Sequence, residues 1–223
     1  MLHIHIHKWS NFAGIKGIIL SLLLLTSLTV SPSVKAESEN PYILLQEVAA
    51  VTFERIKRER NDIEQDPELL RAVIEEELLP YIDYRFSALK VLGKNLKSVP
   101  REKVPEFIQV FREYLITTYA LALTYYDDQE IVFEPVKQVT NERVVTVRVL
   151  IKDESAPDIK LAFKVRKNKK TNKWKAYDMV AEGISLLSSK QSELESIVRQ
   201  QGIETVIELL REKNKQPIKL ENS

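Results

Sequence analysis

Histidine and cysteine, the side chains used most often for nucleophilic catalysis and metal binding, are nearly missing from this sequence. The 223 residues contain three histidines and no cysteine, and the histidines are His3, His5 and His7. A chain that loses its N-terminus therefore has no imidazole or thiol for a Ser-His-Asp triad, a Cys nucleophile or a zinc site, and it cannot form a disulfide. This composition favours binding over catalysis.

Acidic side chains are the remaining candidates for general acid–base catalysis. The pair Asp127–Asp128 follows a long charge-free segment, and the pair Asp153–Glu154 lies in a turn between two predicted strands. Adjacent carboxylates in such places usually end helices or face solvent, so we interpret both pairs as structural. Asp178 lies within an apolar predicted strand, where it either faces solvent or is buried and pairs with an arginine such as Arg148. We favour a structural partner.

The first 36 residues have the pattern of a cleaved export signal. Lys8 and Lys16 precede an apolar run over residues 17–30, and small residues follow up to Ala36. We expect cleavage after Ala36, which leaves residues 37–223 as a single domain. Because the removed segment contains three lysines and no acid, the formal net charge falls from +1 to −2. Phosphate binding needs a net basic surface, so we expect no nucleic acid partner for this near-neutral chain.

The pattern of the remaining chain changes from helical to extended and back. Helical signals cover residues 40–126 and begin with Asn40, a good N-cap, before Pro41. Alternating apolar residues over 130–180 predict four strands joined by short turns. Helical signals return over 184–213 and are interrupted at Gly202. The sequence therefore predicts an α+β fold, in which an antiparallel twisted four-stranded sheet packs against N- and C-terminal helices.

A long helix is predicted from about Val104 to Tyr126, and its second half carries no charge. A helix that is apolar on all sides must be covered on all sides, by protein or by a ligand. The predicted sheet also has a purely apolar face. We therefore expect an apolar cavity between the helix and the sheet.

The face assignments predict which side chains line this cavity. One stripe comes from the long helix, a second comes from the sheet, and further residues close the ends. The predicted lining residues are Phe111, Leu115, Tyr119 and Leu123 on the helix, Val147, Val149, Leu161 and Phe163 on the sheet, and Ile82, Phe86, Tyr177 and Met179 at the ends.

A basic segment lies between the last two predicted strands. Its cations are Arg166, Lys167, Lys169, Lys170, Lys173 and Lys175. They form either a solvated hairpin tip or a docking patch for an acidic protein surface or anionic lipid headgroups.

Several short motifs, in collinear order behind the export signal, resemble the MlaC family of toluene-tolerance proteins. They are Asn40-Pro41-Tyr42, Glu77–Tyr81, Phe111–Leu115, Arg166–Asn168 and Trp174–Ser185, followed by Lys190-Gln191 and Gly202-Ile203. Together they cover nearly all of the chain after the signal.

The resemblance implies a periplasmic phospholipid carrier of a Gram-negative envelope, with no enzymatic activity, cofactor or metal. Such carriers shuttle phospholipid between MlaA with its porin at the outer membrane and MlaD of an inner-membrane ABC transporter, which maintains outer-membrane lipid asymmetry. They come close to membranes only transiently. From the residues alone, two other classes stay open: a hydrolase that uses carboxylates or Tyr, and an envelope scaffold with a solid core.

Overall fold

The computed structural model describes residues 40–153 and 157–220. The expected export signal over residues 1–36 lies outside the described residues, as does Glu154. Within the described part, helices precede an antiparallel sheet and a long helix follows it, so the predicted α+β class is confirmed.

The helical elements before the sheet are short apart from the first and the last. They are α1 (Pro41–Arg58), α2 (Arg60–Gln65), α3 (Leu69–Val73), a π-helical turn (Ile74–Leu78), a 3₁₀ turn (Leu79–Tyr81), α4 (Tyr84–Leu92), a second 3₁₀ turn (Gly93–Lys97) and α5 (Lys103–Leu123).

Local chemistry explains where these helices begin and change. The side chain of Asn40 accepts a hydrogen bond from the N–H of Tyr42 at 2.9 Å, and Pro41 occupies the first helical position of α1. After α3 the helix widens into the π-helical turn and then tightens into the 3₁₀ turn, which contains Pro80. Proline has no N–H for the helical ladder, so a regular helix cannot continue through it.

The sheet is a meander in which every neighbouring pair is antiparallel, in the order β1-β2-β3-β4-β5. The strands of the described residues are β1 (Glu130–Phe133), β2 (Val144–Lys152), β3 (Ile159–Lys167), β4 (Trp174–Ala181) and β5 (Ile184–Ser185).

The fifth strand corrects the predicted count of four. Residues 184 and 185 were expected to open the C-terminal helical region, but they turn back and pair with Ala181 and Val180. The reversal is made by Glu182 and Gly183, which adopt φ values of +48° and +81°. A strand of two residues is too short for an alternating pattern to be read from sequence.

A β-bulge disturbs the pairing of β3 with β4. Lys164 pairs with Asp178 and Val165 pairs with Ala176, so Tyr177 is an extra residue on β4. Bulges of this kind bend a strand and increase its twist.

Helix α6 (Leu186–Asn214) ends the regular structure, and the predicted interruption at Gly202 is confirmed. Gly202 has φ +84° and ψ 174°, which is outside the helical region. Glycine adopts this conformation without a steric penalty because it has no Cβ.

Three clusters of buried side chains hold the elements together. The helical cluster joins α4, the first half of α5 and α6; the α1–α5 cluster joins the end of α1, α3, the π-helical turn and the second half of α5; the sheet cluster joins the start of α1 to the strands. Representative members are Phe107 and Leu194 in the first, Leu70 and Ile74 in the second, and Val147 and Trp174 in the third. Among the described residues, no helix is both long enough and apolar enough to cross a membrane.

Candidate functional site

An apolar cavity of about 530 Å³ lies between the sheet, α1 and the end of α5. Ligand pockets typically measure about 300–1,000 Å³, so this cavity can take a small molecule or part of a larger one. It lies where the α1–α5 cluster and the sheet cluster approach each other.

Helix α1 forms much of one wall. Leu45, Val48, Ala49, Thr52 and Phe53 face the cavity, and their spacing of three or four residues places them on one side of the helix. The hydroxyl of Thr52 donates to the C=O of Val48 at 2.7 Å, so this polar group is satisfied within the helix.

The charge-free half of α5 is covered partly by protein and partly by the cavity. Leu115, Ile116 and Ala120 are buried in the packed clusters. Tyr119 and Leu123 line the cavity. Packed side chains cover some faces of this half and the cavity borders others, which explains why none of its faces carries a charge.

The opposite wall is the inner face of the sheet. Its lining residues come from rows of paired positions, such as Ile131 with Ile151 and then Ile159, or Phe163 with Met179. Side chains that are paired across antiparallel strands point to the same face, so each row presents a continuous apolar strip.

The structure brings together seven of the twelve predicted lining residues around this cavity. They are Ile82, Tyr119, Leu123, Leu161, Phe163, Tyr177 and Met179. Their role in binding a ligand stays a prediction.

The other five predicted lining residues do not line this cavity. Phe111 and Leu115 belong to the helical cluster because the first half of α5 packs against α4 and α6. Val147 is fully buried in the sheet cluster, where residues of α1 cover it. Val149 pairs with the cavity-lining residues Phe133 and Leu161 on the neighbouring strands, and it is buried between them with 5% exposure.

Phe86 lies against the aromatic ring of Tyr177, in an edge-to-face contact with ring centroids 5.2 Å apart. The guanidinium of Arg166 is stacked over Phe86 at 4.0 Å from its centroid. Tyr177 lines the cavity, whereas Phe86 contacts the ring of Tyr177 and does not line the cavity itself.

Sequence reasoning missed the wall that α1 provides. Apolar residues, Leu44 and Val48 among them, recur at helical spacing along this segment, but periodicity does not show whether protein or a cavity covers the apolar face. The same holds for Phe133 and Ile151, whose alternating pattern indicated only the inner face of the sheet.

The cavity opens at the end where α5 stops and β3 begins. Tyr125 is 61% exposed and Ile159 is 45% exposed there, whereas Ile74 at the other end has no exposure. The Gln129 side chain spans this mouth, donating to Asp153 Oδ2 at 3.2 Å and to the C=O of Tyr125 at 3.3 Å.

The pair Asp127–Asp128 lies just outside the mouth and forms ion pairs. Asp128 Oδ2 lies 2.5 Å from a guanidinium nitrogen of Arg60, and Asp128 Oδ1 lies 3.5 Å from Lys57 Nζ. These carboxylates hold the end of α1 and the start of α2 to the end of α5, which is the structural role expected for them.

Asp178 has the structural partners that we expected, but the predicted cation was wrong. Its carboxylate accepts hydrogen bonds from Lys164 Nζ at 2.8 Å, Ser185 Oγ at 2.7 Å and the N–H of Leu187 at 3.1 Å. Arg148 instead lies 3.7 Å from Glu134. The cation is Lys164 because the register pairs it directly with Asp178.

The two carboxylates that line the cavity are too far apart to act together. In the register of the sheet, Asp178 on β4 pairs with Lys164 on β3, which in turn pairs with Thr146 on β2. Asp153 follows the end of β2, seven residues after Thr146. Seven residues of extended chain correspond to about 23 Å. Paired catalytic carboxylates lie within about 10 Å of each other.

Tyr119 is the titratable side chain most affected by the apolar surroundings of the cavity. Burial, and to a smaller extent the carboxylate of Asp178, raises the pKa of Tyr119 to about 12. A tyrosine with a raised pKa is a poor general base at neutral pH, so this group contributes a neutral, largely apolar surface.

The chain is similar to known proteins in sequence and in fold. Residues 46–212 match the family model described as "MlaC protein". The chain is 35% identical over 204 residues to the intermembrane phospholipid transport system binding protein MlaC of Haemophilus influenzae, covering 91% of this chain and 95% of that protein. The fold is similar to that of a phospholipid-binding protein from Ralstonia solanacearum solved with a phospholipid. That similarity has a TM-score of 0.69 at 19% identity and covers 78% of this chain and 97% of the other. The chain belongs to the MlaC family.

Proposed function

We propose that this protein is a phospholipid carrier that buries acyl chain in the cavity and leaves the headgroup at the mouth. The observation that carries the proposal is the apolar cavity between α1, α5 and the sheet, which is open at one end. The family membership and the phospholipid-binding function of the named relatives support it.

A carrier of this kind needs apolar volume and no catalytic group. At about 0.8 kcal/mol per buried CH₂, two acyl chains represent on the order of 20 kcal/mol of gross transfer free energy. A bilayer offers a similar gain, so exchange with a membrane or a transport complex is nearly balanced, whereas release into water is not. Unloading then requires a partner with differential affinity for the lipid or for the open carrier.

We propose further that the carrier works in the periplasm as residues 37–223, after removal of the export signal. Its partners there would be MlaA with a porin at the outer membrane and MlaD at the inner membrane, as in the Mla system for which the family is named. Transfer between them would maintain the lipid asymmetry of the outer membrane. We propose that this function uses no cofactor and no enzymatic step.

Native mass spectrometry of protein purified without detergent tests the carrier function. We expect a mass increase equal to about one phospholipid per protein, and solvent extraction should release that lipid intact. A protein that stays free of lipid after incubation with phospholipid vesicles would contradict the proposal.

Two outcomes separate the other functional classes. A hydrolase would return lysophospholipid or free fatty acid from the extraction in place of intact lipid. A scaffold with a solid core would show no lipid in any preparation and no mass change with vesicles.

A further inference from the structure

The hairpin that joins β3 to β4 presents a basic patch at one end of the sheet. We define the basic patch as Arg143, Lys167, Lys169, Lys170 and Lys175. Arg143 belongs to it because its C=O accepts a hydrogen bond from the N–H of Lys167 at 2.9 Å, which places the two residues side by side. Lys169 and Lys170 are exposed at the tip.

The tip of this hairpin is an ordered turn. Asn168 Oδ1 accepts hydrogen bonds from the N–H groups of Lys170 at 2.8 Å and Thr171 at 3.2 Å. Asn172 adopts φ +57°, a conformation that asparagine tolerates well. Trp174, which is 4% exposed, anchors the base of the hairpin in the sheet cluster. The backbone therefore holds Lys169 and Lys170 outward in a defined arrangement, whereas the half-buried Lys167 has its ammonium group 5.7 Å from the centroid of the Trp174 ring.

In the part of the chain that the structure describes, the lysines of the basic patch lack the acidic partners that other cations have. Arg55, for example, contacts three glutamates, and Arg166 at the base of the hairpin pairs with Asp83 at 2.6 Å. Within the described residues, no carboxylate lies within ion-pair distance of the lysines of the basic patch. Uncompensated charge of one sign attracts surfaces of the opposite sign.

The composition of the patch favours a lipid surface over a protein. Protein interfaces are enriched in arginine and aromatic side chains and depleted in lysine. Four of the five cations are lysines, whose compact ammonium groups act as point charges without a fixed bidentate geometry. The neighbouring aromatic ring, Trp174, is buried and cannot serve as an anchor. A diffuse array of anionic headgroups needs neither feature.

We propose that the basic patch binds anionic phospholipid headgroups and so tethers the protein to a membrane surface. Each lysine close to an anionic membrane strengthens binding about fivefold, and the attraction decays over the Debye length of about 8 Å at physiological salt. The proposal does not rest on the carrier function, because headgroup binding by the patch requires no occupied cavity.

The fold sets the orientation of the tethered molecule. Strand β3 begins at the mouth with Ile159 and ends at the patch with Lys167. A strand of this length spans about 26 Å. A molecule that rests on a membrane through the patch therefore holds the mouth about 26 Å from that point, so the patch tethers the protein without presenting the cavity to the same lipids.

Flotation with vesicles tests the tether. The full mature chain is mixed with phosphatidylglycerol–phosphatidylcholine vesicles at low salt, and the fraction that floats is measured. We expect binding that weakens with added salt, that is absent with pure phosphatidylcholine, and that falls about 25-fold for the double variant Lys169→Gln/Lys170→Gln.

Two matched variants separate charge from other effects. Lys169→Arg/Lys170→Arg keeps both charges and should float like the wild type. Lys97→Gln/Lys219→Gln removes two exposed lysines on other elements and should also float like the wild type. The tether proposal is overturned if the wild type does not float, or if both Gln variants lose binding equally. It is also overturned if binding does not distinguish the two lipid mixtures. Absence of flotation together with lysine-dependent retention on immobilised polyglutamate would instead assign the patch to acidic proteins.

Single labels test the orientation. The chain has no cysteine, so Thr171→Cys at the tip and Asp158→Cys near the mouth each give one attachment site for a fluorophore. With a quencher on the lipid headgroups, we expect strong quenching at position 171 and little at position 158. The reverse pattern would contradict tethering through the patch.

Discussion

The ammonium group of Lys164 lies 2.8 Å from the carboxylate of Asp178, across the bulged pair of strands β3 and β4. The carboxylate also accepts hydrogen bonds from Ser185 on β5 and from the backbone of Leu187 in the first turn of α6. One buried acid therefore fixes the edge of the sheet to the start of the last helix. Its role is positional, because all of these contacts join elements of the fold.

We expect the substitution Asp178→Asn to reduce the free energy of unfolding by about 1.5–3 kcal/mol, because it removes the negative charge and replaces one of the two buried acceptor oxygens with an NH₂ donor. Urea denaturation measures this loss. The exposed Asp158→Asn is the matched control and should change the free energy by less than about 0.5 kcal/mol. Equal effects of the two variants would show that the buried contacts contribute little.

A glutamate in the cavity wall should affect binding and folding differently from one in a packed cluster. We expect Leu161→Glu to abolish lipid retention and to cost no more than about 2 kcal/mol of stability, because water can enter through the mouth. Leu115→Glu should cost about 4 kcal/mol or more, since it buries an unpaired charge in the helical cluster. Native mass spectrometry and urea denaturation of both variants test the contrast. Similar losses of stability at both positions would mean that Leu161 is packed in the core in the same way as Leu115.

Filling the cavity should weaken lipid binding without unfolding the protein. Ala49 faces the cavity from α1, and its neighbour Ala50 is exposed. We expect Ala49→Phe to displace on the order of four methylenes of acyl chain, which at about 0.8 kcal/mol each corresponds to about 200-fold weaker binding. Ala50→Phe adds the same ring outside the cavity and should bind lipid normally. Retention of full binding by Ala49→Phe would place the lipid elsewhere.

The pKa of Tyr119 predicts a loss of stability at high pH. The pKa is about 12 in the folded protein and about 10 in the unfolded chain. The stabilisation is therefore complete below about pH 10 and disappears as the pH rises through about 12. We expect Tyr119→Phe to lose less stability than the wild type over this interval, measured by urea denaturation at a series of pH values. Parallel curves for the two proteins would contradict the assignment.

Sequence periodicity predicted the faces of α5 and of the strands, but it could not identify what covers each face. Phe111, Leu115 and Tyr119 lie on one stripe of α5, and the prediction placed all of them in the cavity wall. The helix passes from the helical cluster to the cavity along its length, so residues of one stripe have different neighbours. Such a change depends on tertiary packing, which leaves no periodic signal.

Features that depend on only a few residues also could not be predicted from the sequence. The strand β5 consists of Ile184 and Ser185, and the β-bulge shifts the register at a single position near Tyr177. In contrast, the start of α1 at Asn40 and the break in α6 at Gly202 were predictable, because each depends on the local chemistry of one side chain or its absence.

The cavity separates two bodies of packed side chains, and this arrangement gives the cargo a part in folding. Ile74 belongs to the α1–α5 cluster and Phe163 packs against the sheet cluster, yet both line the same space. An acyl chain there would touch both and fill the place that a core side chain holds in a solid protein. The bound lipid would then be a removable part of the hydrophobic core, and the melting temperature of the protein would show whether lipid is bound.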